Sequence, residues 1–439
     1  MPEWFEELAD FLRIPSVSAD PAHGAGVVAA GEWVCRFLRR AGGEGRLVDW
    51  DGQPLATGEL RASRDAQRAP TVLCYGHFDV QPPDPEDLWQ SPPFDPEIRG
   101  DYLYGRGVAD DKGQLYMLLS AARGLAEAGE LPVNVRFACD GEEETGGDSI
   151  LEFLSADQRG ADAAVIFDTG MIDRGLPAFN IATRGLIYFH LTLHAGERDL
   201  HSGVYGGAAL NAANALAGTL NAVVARDGLL AEPLRQGLQS PSSQELASWQ
   251  SLPSGGHELA AQGARAKDDR AAEEFYIRTF AEPALDINGL ESGSPHIQKT
   301  VLPARADANV SIRLAPGQEV EPVAEAFERI LRGATPPGAE LEVRLLSSAR
   351  PGLVAPDARA VALGLTAFER ALGVRPALIR SGGTLPIVPA LADRGIPTIV
   401  TGFSLPDANI HSPNENLPVE HVALGIAAAR ALFTELAAL

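Results

Sequence analysis

Three scarcities in this chain of 439 residues each argue against a class of protein. Its 3 cysteines, Cys35, Cys74 and Cys139, are far apart and form no CxxC pair, so we expect buried thiols in a reducing compartment. No run of about 18 apolar residues occurs, so we expect no membrane-spanning helix. Basic residues are few, with 36 Lys and Arg against 59 Asp and Glu. The resulting net charge of −23 repels phosphate backbones and argues against nucleic acid as a partner.

The opening residues also lack the features of a secretory signal. "MPEWFEELADFLRIPSVS" carries acids early and apolar residues at helical spacing, which predicts an amphipathic helix. We therefore expect a cytoplasmic protein. A hydrophobic content of 45% and the length of the chain indicate a globular protein of about two or three domains.

Strand and helix patterns alternate along residues 1–183. Buried-strand patterns cover 71–76, 133–139 and 163–167, and a strong amphipathic helix pattern covers 113–130. Such alternation predicts an α/β domain in which a mostly parallel central sheet is flanked by helices.

The pattern changes over residues 184–350. Apolar and polar side chains alternate strictly along 187–194, which predicts a half-exposed antiparallel strand, and a helix is expected at 207–225. Over 351–439 the α/β pattern returns. We therefore predict one α/β domain formed by 1–183 and 351–439, interrupted by an inserted α+β domain.

Acids and histidines follow the ends of the predicted strands. Open α/β sheets bind ligands at the carboxyl ends of their strands, so we expect these residues to meet at one edge of the sheet. The acids of "CDGEEETGGDS" (139–149) repel one another unless something positive lies nearby. The strand-end residues are His77 with Asp79, Asp110 with Asp111, the glutamates Glu142, Glu143 and Glu144, then Asp168 and His411.

Each of these features alone has an ordinary explanation, because strand ends are loops and loops are polar. One of Asp110 and Asp111 would serve as a helix N-cap, and His77 with Asp79 would be an incidental pair. Jointly they form a nitrogen and oxygen ligand set suited to two zinc-like ions held by a bridging carboxylate. Residues two apart on an extended chain point to one side, so Asp79 is placed to accept the N–H of the His77 imidazole.

The motifs "HFD", "YGRGVADDKG", "GEEETGG", "FDTG" and "IHSPNE" occur in this order, and the set resembles a family of dinuclear-zinc hydrolases. That family includes carnosinases, cytosolic dipeptidases, aminoacylases and acetylornithine deacetylases. "DLHSGVYGG" (199–207), "LDINGLESG" (285–293) and "KTVLPARADANVSIRLAPGQ" (299–318) are similar to the lid or dimerisation domain of its dipeptidase branch. The resemblance implies a catalytic domain interrupted by a lid domain, and it covers nearly the whole chain except residues 226–280.

The resemblance also implies the ligands of two metal ions. Asp110 would bridge both ions. His77 and Asp168 would complete one site, and Glu144 and His411 would complete the other. The implied cofactors are two Zn²⁺ ions per subunit, with Mn²⁺ or Co²⁺ as alternatives.

Beside these ligands the resemblance implies one general base and one supporting acid. Glu143 would be the base that acts on water, and Asp79 would hold His77. The peptide bond between Asp110 and Asp111 would be cis. No role is implied for Glu142.

The resembled family forms homodimers through the inserted domain, and a histidine of its "DLHSG" motif donates to the oxyanion in the partner's active site. His201 would have this role, although a loop histidine that caps a helix is the alternative. Arg313, Gly383 and Thr384 would bind the substrate carboxylate, since a planar guanidinium suits a carboxylate. Arg313 is equally compatible with an exposed position in a charged ladder of the sheet.

Three functions are compatible with these expectations. The first is a dipeptidase that cleaves dipeptides or very short peptides with a free C-terminal carboxylate. The second is an N-acyl-amino-acid deacylase, and the third is a non-catalytic metal-binding relative that would have lost a base or ligand. Asp168 favours the first, because the resembled peptidases tend to have aspartate there and the deacylases glutamate. The loop "LESGSPHIQ" departs from the family's glycine-rich, Tyr-containing turn, so the preferred side chain stays open.

Overall fold

A computed structural model describes residues 2–49 and 52–439. Within these residues the chain forms two compact units. The first unit contains the residues up to Ile181 together with Val354–Ile379 and Ala390–Leu439. The second contains Ala182–Leu353 and Arg380–Pro389. The second unit therefore interrupts the first along the chain.

Residues 380–389 differ from the sequence-based division, which kept 351–439 together. They cluster with the second unit. The buried guanidinium of Arg380 donates to Glu245 over 2.7 Å and to the carbonyl of Gln239 over 3.2 Å, and both partners belong to that unit. The segment 226–280, which had no expected role, therefore supplies the acid that holds residue 380.

Eighteen strands are present among the described residues. They are β1 (Glu44–Val48), β2 (Leu55–Leu60), β3 (Thr71–His77), β4 (Glu97–Arg99), β5 (Tyr102–Tyr104), β6 (Asn134–Asp140), β7 (Ala163–Gly170), β8 (Ala178–Thr183), β9 (Gly185–His194), β10 (Leu200–His201), β11 (Ala284–Glu291), β12 (Val301–Leu302), β13 (Arg305–Leu314), β14 (Glu340–Ala349), β15 (Gly352–Leu353), β16 (Ala377–Ser381), β17 (Thr398–Ser404) and β18 (Asn416–Pro418).

Twelve α-helices lie between them in the described part of the chain. They are α1 (Phe5–Leu12), α2 (Gly24–Arg40), α3 (Lys112–Glu127), α4 (Ser149–Ala156), α5 (Ser202–Tyr205), α6 (Ala212–Asn221), α7 (Ser243–Trp249), α8 (Gly255–Ala261), α9 (Val320–Ala334), α10 (Arg359–Leu372), α11 (Ile387–Asp393) and α12 (Val419–Leu436).

The first unit is built on a six-stranded sheet with the order β1–β2–β6–β3–β7–β17. The pairs β3–β6, β3–β7 and β7–β17 are parallel, and β1–β2 and β2–β6 are antiparallel. Helix α2 packs on β1 and β2, α3 packs on β3 and β7, and α10 and α12 pack on β17. This confirms the predicted α/β fold with a mostly parallel central sheet. Its central strands are buried, which explains their continuous apolar runs.

The second unit is built on a four-stranded antiparallel sheet with the order β11–β13–β9–β14. The strict alternation along β9 is borne out, because Ile187, Phe189, Leu191 and Leu193 are all buried in the core of this unit. Helices α6 and α9 cover that face, and Phe189 stacks on Phe327 with ring centroids 4.7 Å apart.

The helix expected at 207–225 is shorter than predicted. It covers Ala212–Asn221 and is preceded by the single turn of α5. Gly207 has a φ of +81°, which a helix does not accommodate, so the chain turns there. The side chain of Asn211 then accepts the backbone N–H of Asn214 and starts α6.

Two other sequence expectations concern membranes and thiols. Among residues 2–49 and 52–439, each helix is too short or too polar to cross a bilayer. Cys35, Cys74 and Cys139 are free and buried, and burial raises the pKa of Cys35 to about 11. These thiols are therefore packing residues of the first unit.

Candidate metal centre

The predicted acids and histidines of the first unit meet at the carboxyl ends of its strands. His77 is the last residue of β3, Asp168 lies in β7, and Asp110 and Asp111 directly precede α3. Their ligand atoms form two groups, each with all atoms within 4.8 Å of one another. One group is His77, Asp110 and Glu144, and the other is His77, Asp111 and Asp168.

Asp110 lies between two histidines. Its Oδ1 is 2.9 Å from His77 Nε2, and its Oδ2 is 2.9 Å from His411 Nε2. Asp168 Oδ1 lies 3.7 Å from the same nitrogen of His77, and Glu144 Oε2 lies 3.1 Å from the same nitrogen of His411. The structure thus brings all five predicted ligands together, with one oxygen of Asp110 toward each histidine.

Asp79 holds several parts of this arrangement in place. It and His77 are fully buried, and its Oδ1 lies 3.3 Å from His77 Nδ1. Its carboxylate also accepts the backbone N–H groups of Glu143 over 3.2 Å and of Glu144 over 3.1 Å. One buried carboxylate therefore orients the histidine ring and the turn that carries both glutamates.

The three consecutive glutamates point to different partners. Glu143 and Glu144 begin a single 3-10 turn, Glu143–Thr145, which closes at Gly146 with a φ of +78°. The carboxylate of Glu142 faces away and accepts the backbone N–H groups of Gln53 over 2.9 Å and of Ser149 over 3.0 Å. Glu142 therefore supplies the acceptor at the start of α4, where the side chain of Asp148 makes no capping bond.

Asp111, to which the resemblance assigned no role at the metal, lies within the candidate centre. Its Oδ2 accepts the backbone N–H of His77 over 3.1 Å, while its buried Oδ1 has no hydrogen-bond partner among the described residues. A Cβ at Gly76 would lie 2.7 Å from the same carboxylate, so only glycine allows this approach. The peptide bond between Asp110 and Asp111 is cis, as the resemblance implied.

The pKa values of the acids reflect how closely the carboxylates of the cluster are packed. Burial, reinforced by repulsion from Asp168, Asp110 and Glu144, raises the pKa of Glu143 to about 9 against the attraction of His77. Burial also raises the pKa of Asp168 to about 6, although His77 opposes the shift. The carboxylates repel one another because they lie close together and most of their surface is removed from water.

The pKa values of the two histidines are raised as well, which favours their charged form. Hydrogen bonds to Asp110 and Glu144 raise the pKa of His411 to about 10. Burial opposes the charged form of His77, but its bonds to Asp110, Asp168 and Asp79 hold its pKa well above the usual value. Both imidazoles therefore compensate negative charge, which a metal cation would do in their place.

The donor set fits a pair of divalent cations. Imidazole nitrogens and carboxylate oxygens suit zinc-like ions, and a carboxylate with one oxygen toward each histidine suits a bridge between two of them. The buried Oδ1 of Asp111, without a hydrogen bond among residues 2–49 and 52–439, is an acceptor that a cation nearby would stabilise. The residues that could hold the ions are His77, Asp110, Glu144, Asp168 and His411.

Supporting residues that no sequence pattern predicted surround the ligands. Gln81 Nε2 donates to the Oε2 of Glu144 over 2.9 Å, and Ser18 Oγ donates to the Oδ2 of Asp79 over 2.6 Å. The buried amine of Lys112 donates to the carbonyl of Ile14 over 2.6 Å, so the residues after α1 are held against the centre. These are single polar residues without a periodic pattern, so the sequence alone does not distinguish them from other polar residues.

The predicted carboxylate-binding residues lie together in the second unit. Arg313, near the end of β13, donates through Nη1 to Thr384 Oγ1 over 3.0 Å. Gly383 donates to Ser381 Oγ over 3.0 Å, and its carbonyl accepts the backbone N–H of Arg184 over 3.1 Å. Arg313 thus has a hydroxyl partner that leaves its other donors available for an anion.

His201 ends the short strand β10 and precedes α5. Its exposed ring accepts the backbone N–H of Gly203 at Nδ1 over 3.0 Å. It therefore caps α5, which was the alternative expectation. Because an accepting Nδ1 carries no proton, the neutral ring carries its proton on Nε2 and is a donor there.

The site and fold can be compared with known proteins. A model of the Peptidase family M20/M25/M40 matches residues 73–435. The Cys-Gly metallodipeptidase dug1 of Schizosaccharomyces pombe is 28% identical over 452 residues, covering 97% of this chain and 93% of its own. The Beta-Ala-His dipeptidase of Homo sapiens is 28% identical over 386 residues, covering 84% of this chain and 75% of its own.

The crystal structure of an M20 family metallo-carboxypeptidase, Sso-CP2 from Sulfolobus solfataricus, has the same fold. It superposes with a TM-score of 0.87 at 25% identity, covering 100% of both chains. The family model spans both the metal centre and the inserted unit. The chain therefore belongs to the Peptidase family M20/M25/M40.

Proposed function

We propose that this protein is a metal-dependent dipeptidase that hydrolyses dipeptides or very short peptides with a free C-terminal carboxylate. The observation that carries the proposal is the position of Asp110, whose two oxygens lie 2.9 Å from the nitrogens of different histidines. Dipeptidases among the relatives support the substrate class. No observation favours the N-acyl-amino-acid deacylase, and Asp168 argues against it.

The residues have separate tasks in this reaction. His77, Asp110, Glu144, Asp168 and His411 would hold two Zn²⁺ ions, or Mn²⁺ or Co²⁺ in their place. When bound, two divalent ions supply Lewis acidity toward the scissile carbonyl and toward water.

Glu143 would take a proton from the attacking water and return it to the departing amine. It suits this task because it is half-buried, and the carboxylate of Asp79 accepts its backbone N–H. Burial, and then repulsion from the neighbouring acids, raises the pKa of Glu143, so it is a stronger base than an exposed glutamate. General base catalysis of this kind is worth about 10²–10⁴ in rate.

Recognition of the substrate carboxylate would fall to the second unit. Arg313 donates a hydrogen bond to Thr384, and Gly383 directly precedes Thr384 in the chain. The guanidinium fork would pair with the carboxylate, and the hydroxyl and backbone groups of the loop would complete its hydrogen bonds. A free carboxylate is therefore expected to be required in the substrate.

The proposal includes a homodimer formed through the second unit, with His201 donating to the oxyanion across the interface. Its support is the exposed apolar surface on the two edge strands of that unit. Leu290 on β11 is 62% exposed, and Leu345 on β14 is 48% exposed, with Leu346 beside it. Apolar side chains on open sheet edges are typical of protein–protein contact. The free buried thiols support the further proposal of a cytoplasmic location.

Metal analysis combined with a substrate panel tests the proposal. The purified protein is expected to hold two divalent ions per subunit, to lose activity with a chelator and to regain it when the ion is restored. Dipeptides with a free carboxylate should be hydrolysed much faster than their amides or than N-acyl amino acids. Hydrolysis of N-acyl amino acids with inert dipeptides would contradict the proposal.

A further inference from the structure

Glu415 is a fully buried carboxylate for which the proposed reaction has no use. It lies on the same loop as the metal-ligand candidate His411, four residues later. Burying a charged carboxylate is costly unless it is paired and hydrogen-bonded. The groups that donate hydrogen bonds to the Glu415 carboxylate therefore indicate its role.

Four donors converge on this carboxylate, and all belong to the segment that carries Asp110. Oε2 accepts from Arg106 Nη1 over 2.7 Å and from the backbone N–H of Gly107 over 3.0 Å. Oε1 accepts the backbone N–H groups of Ala109 over 2.8 Å and of Asp110 over 3.1 Å. Both oxygens are thus occupied by one turn of the chain.

This arrangement fixes the backbone of Asp110 at its own N–H. The side chain of the same residue is fixed at its far end, where Oδ1 and Oδ2 each lie 2.9 Å from a histidine nitrogen. A tilt of the backbone would move both oxygens at once. The loop 411–415 therefore holds Asp110 from two sides, through His411 at the carboxylate and through Glu415 at the backbone.

We propose that Glu415 is a positioning residue that orients Asp110 and thereby sets the affinity of the centre for both metal ions. The proposal rests on the dinuclear centre of the proposed function. Residues that orient metal ligands change metal affinity by about 10–100-fold when they are removed. Because Asp110 is the shared ligand, a change at Glu415 weakens both ions together.

Gln81 provides a contrast within the same site. It donates to the side chain of Glu144 over 2.9 Å and to its carbonyl over 3.2 Å. Glu144 faces His411 and would serve one ion. Loss of Gln81 should therefore weaken one ion, whereas loss of Glu415 should weaken two.

The test measures Zn²⁺ binding by the full-length protein, in competition with a chelating dye and without substrate. Glu415→Gln keeps the size of the side chain but removes its charge and places an amide against N–H donors. Gln81→Leu removes the contact to Glu144. Asp157→Asn is the matched control, since Asp157 is a largely buried acid of the first unit that pairs with Arg136 over 3.0 Å.

Glu415→Gln is expected to lose about 10–100-fold in affinity for both ions. Gln81→Leu is expected to lose affinity for one ion only, and Asp157→Asn for neither, although its thermal midpoint falls. The absorption spectrum of the Co²⁺-loaded Glu415→Gln protein should also differ from that of the wild type, because the shared ligand is displaced. An unchanged affinity for both ions, or a loss confined to one, would overturn the proposal.

Glu415→Asp provides a second variant in case the glutamine variant does not fold. It keeps the charge, but its shorter side chain draws the carboxylate away from the donors of residues 106–110, including the N–H of Asp110. We expect weaker binding of both ions. Wild-type affinities in folded Glu415→Asp would also overturn the proposal. A wild-type protein that binds fewer than two ions would instead contradict the dinuclear centre. The proposal for Glu415 would then be tested by the affinity of Glu415→Gln for the single bound ion.

Discussion

His411 Nε2 lies 2.9 Å from Asp110 Oδ2, although 301 positions separate the two residues in the chain. They meet because the loop before α3 and the loop after β17 both lie at the carboxyl edge of the central sheet. His411 has a φ of +60°, a backbone conformation that is uncommon for a histidine. A residue held in that conformation and aimed at a carboxylate is positioned for a specific task.

Replacement of Glu143 by glutamine should separate metal binding from catalysis. Glu143→Gln removes the proton acceptor but leaves the five ligand candidates in place. We expect kcat to fall by about 10²–10⁴ while the metal content per subunit is unchanged, which steady-state kinetics and elemental analysis measure. The control is Asp148→Asn, an acid of the same acidic stretch, which should keep wild-type kcat. Loss of a metal ion in Glu143→Gln would show that Glu143 is a ligand.

How far the sequence predicts the site depends on which interactions are local. The positions of His77 and Asp168 follow from their place near the ends of apolar strands, because the topology of an α/β sheet brings strand ends together. The directions of neighbouring side chains do not follow. Glu142 and Glu143 are adjacent, yet the first contacts Gln53 and Ser149 while the second faces the metal centre, and the dihedral angles of one turn decide this.

Long-range supporting contacts are likewise absent from any local pattern. Glu415 reaches Asp110 across 305 positions, and Gln81 reaches Glu144 across 63. Arg380 joins the second unit through Glu245, so the expected boundary at 351 assigned residues 380–389 to the other unit. Periodicity predicts which faces are buried, but it carries no information on which polar group meets which partner.

Replacement of Arg313 should raise KM for dipeptides. Arg313→Met removes a charged donor pair worth about 1.5–3 kcal/mol, so KM should rise about 10–100-fold while kcat changes less. Amidated dipeptides, which lack the carboxylate, should be cleaved with similar kcat/KM by the wild type and the variant. Arg305→Met is the control, because Arg305 lies on the same strand, is exposed and pairs with Asp307 over 2.7 Å. An equal KM for Arg313→Met and the wild type would remove Arg313 from the substrate site.

Removal of the Glu7 carboxylate should lower stability in a pH-dependent way. Glu7 accepts from Arg123 over 2.8 Å and from Tyr116 over 3.0 Å, and although burial opposes the shift these bonds hold the pKa of Glu7 below its usual value. A carboxyl with a lowered pKa stabilises the fold above its unfolded-state pKa, and this stabilisation disappears as pH falls through the folded-state pKa.

For Glu7→Gln we expect the free energy of unfolding at pH 7 to fall by about 1 kcal/mol, since the pair is partly exposed. Glu6→Gln, which changes the exposed neighbouring acid in α1, should have little effect. Urea titrations at pH 7 and at about pH 3.5 measure the difference between the variants, which should shrink at the lower pH. A difference that stays constant with pH would show that the Glu7 carboxylate is not the source.

Exchange of subunits should reveal whether His201 acts across the proposed dimer. Its exposed ring is held at Nδ1 by the N–H of Gly203, which leaves Nε2 as the donor. His201→Ala should lower kcat without lowering metal content. A mixed dimer of His201→Ala and Glu143→Gln has one site in which Glu143 is intact and the histidine comes from the other subunit. Mixing the two impaired proteins should therefore restore up to about a quarter of wild-type activity per subunit, because half of random dimers are mixed and each has one intact site. Absence of recovery, with exchange verified by native mass spectrometry, would place His201 within its own subunit's site or outside catalysis.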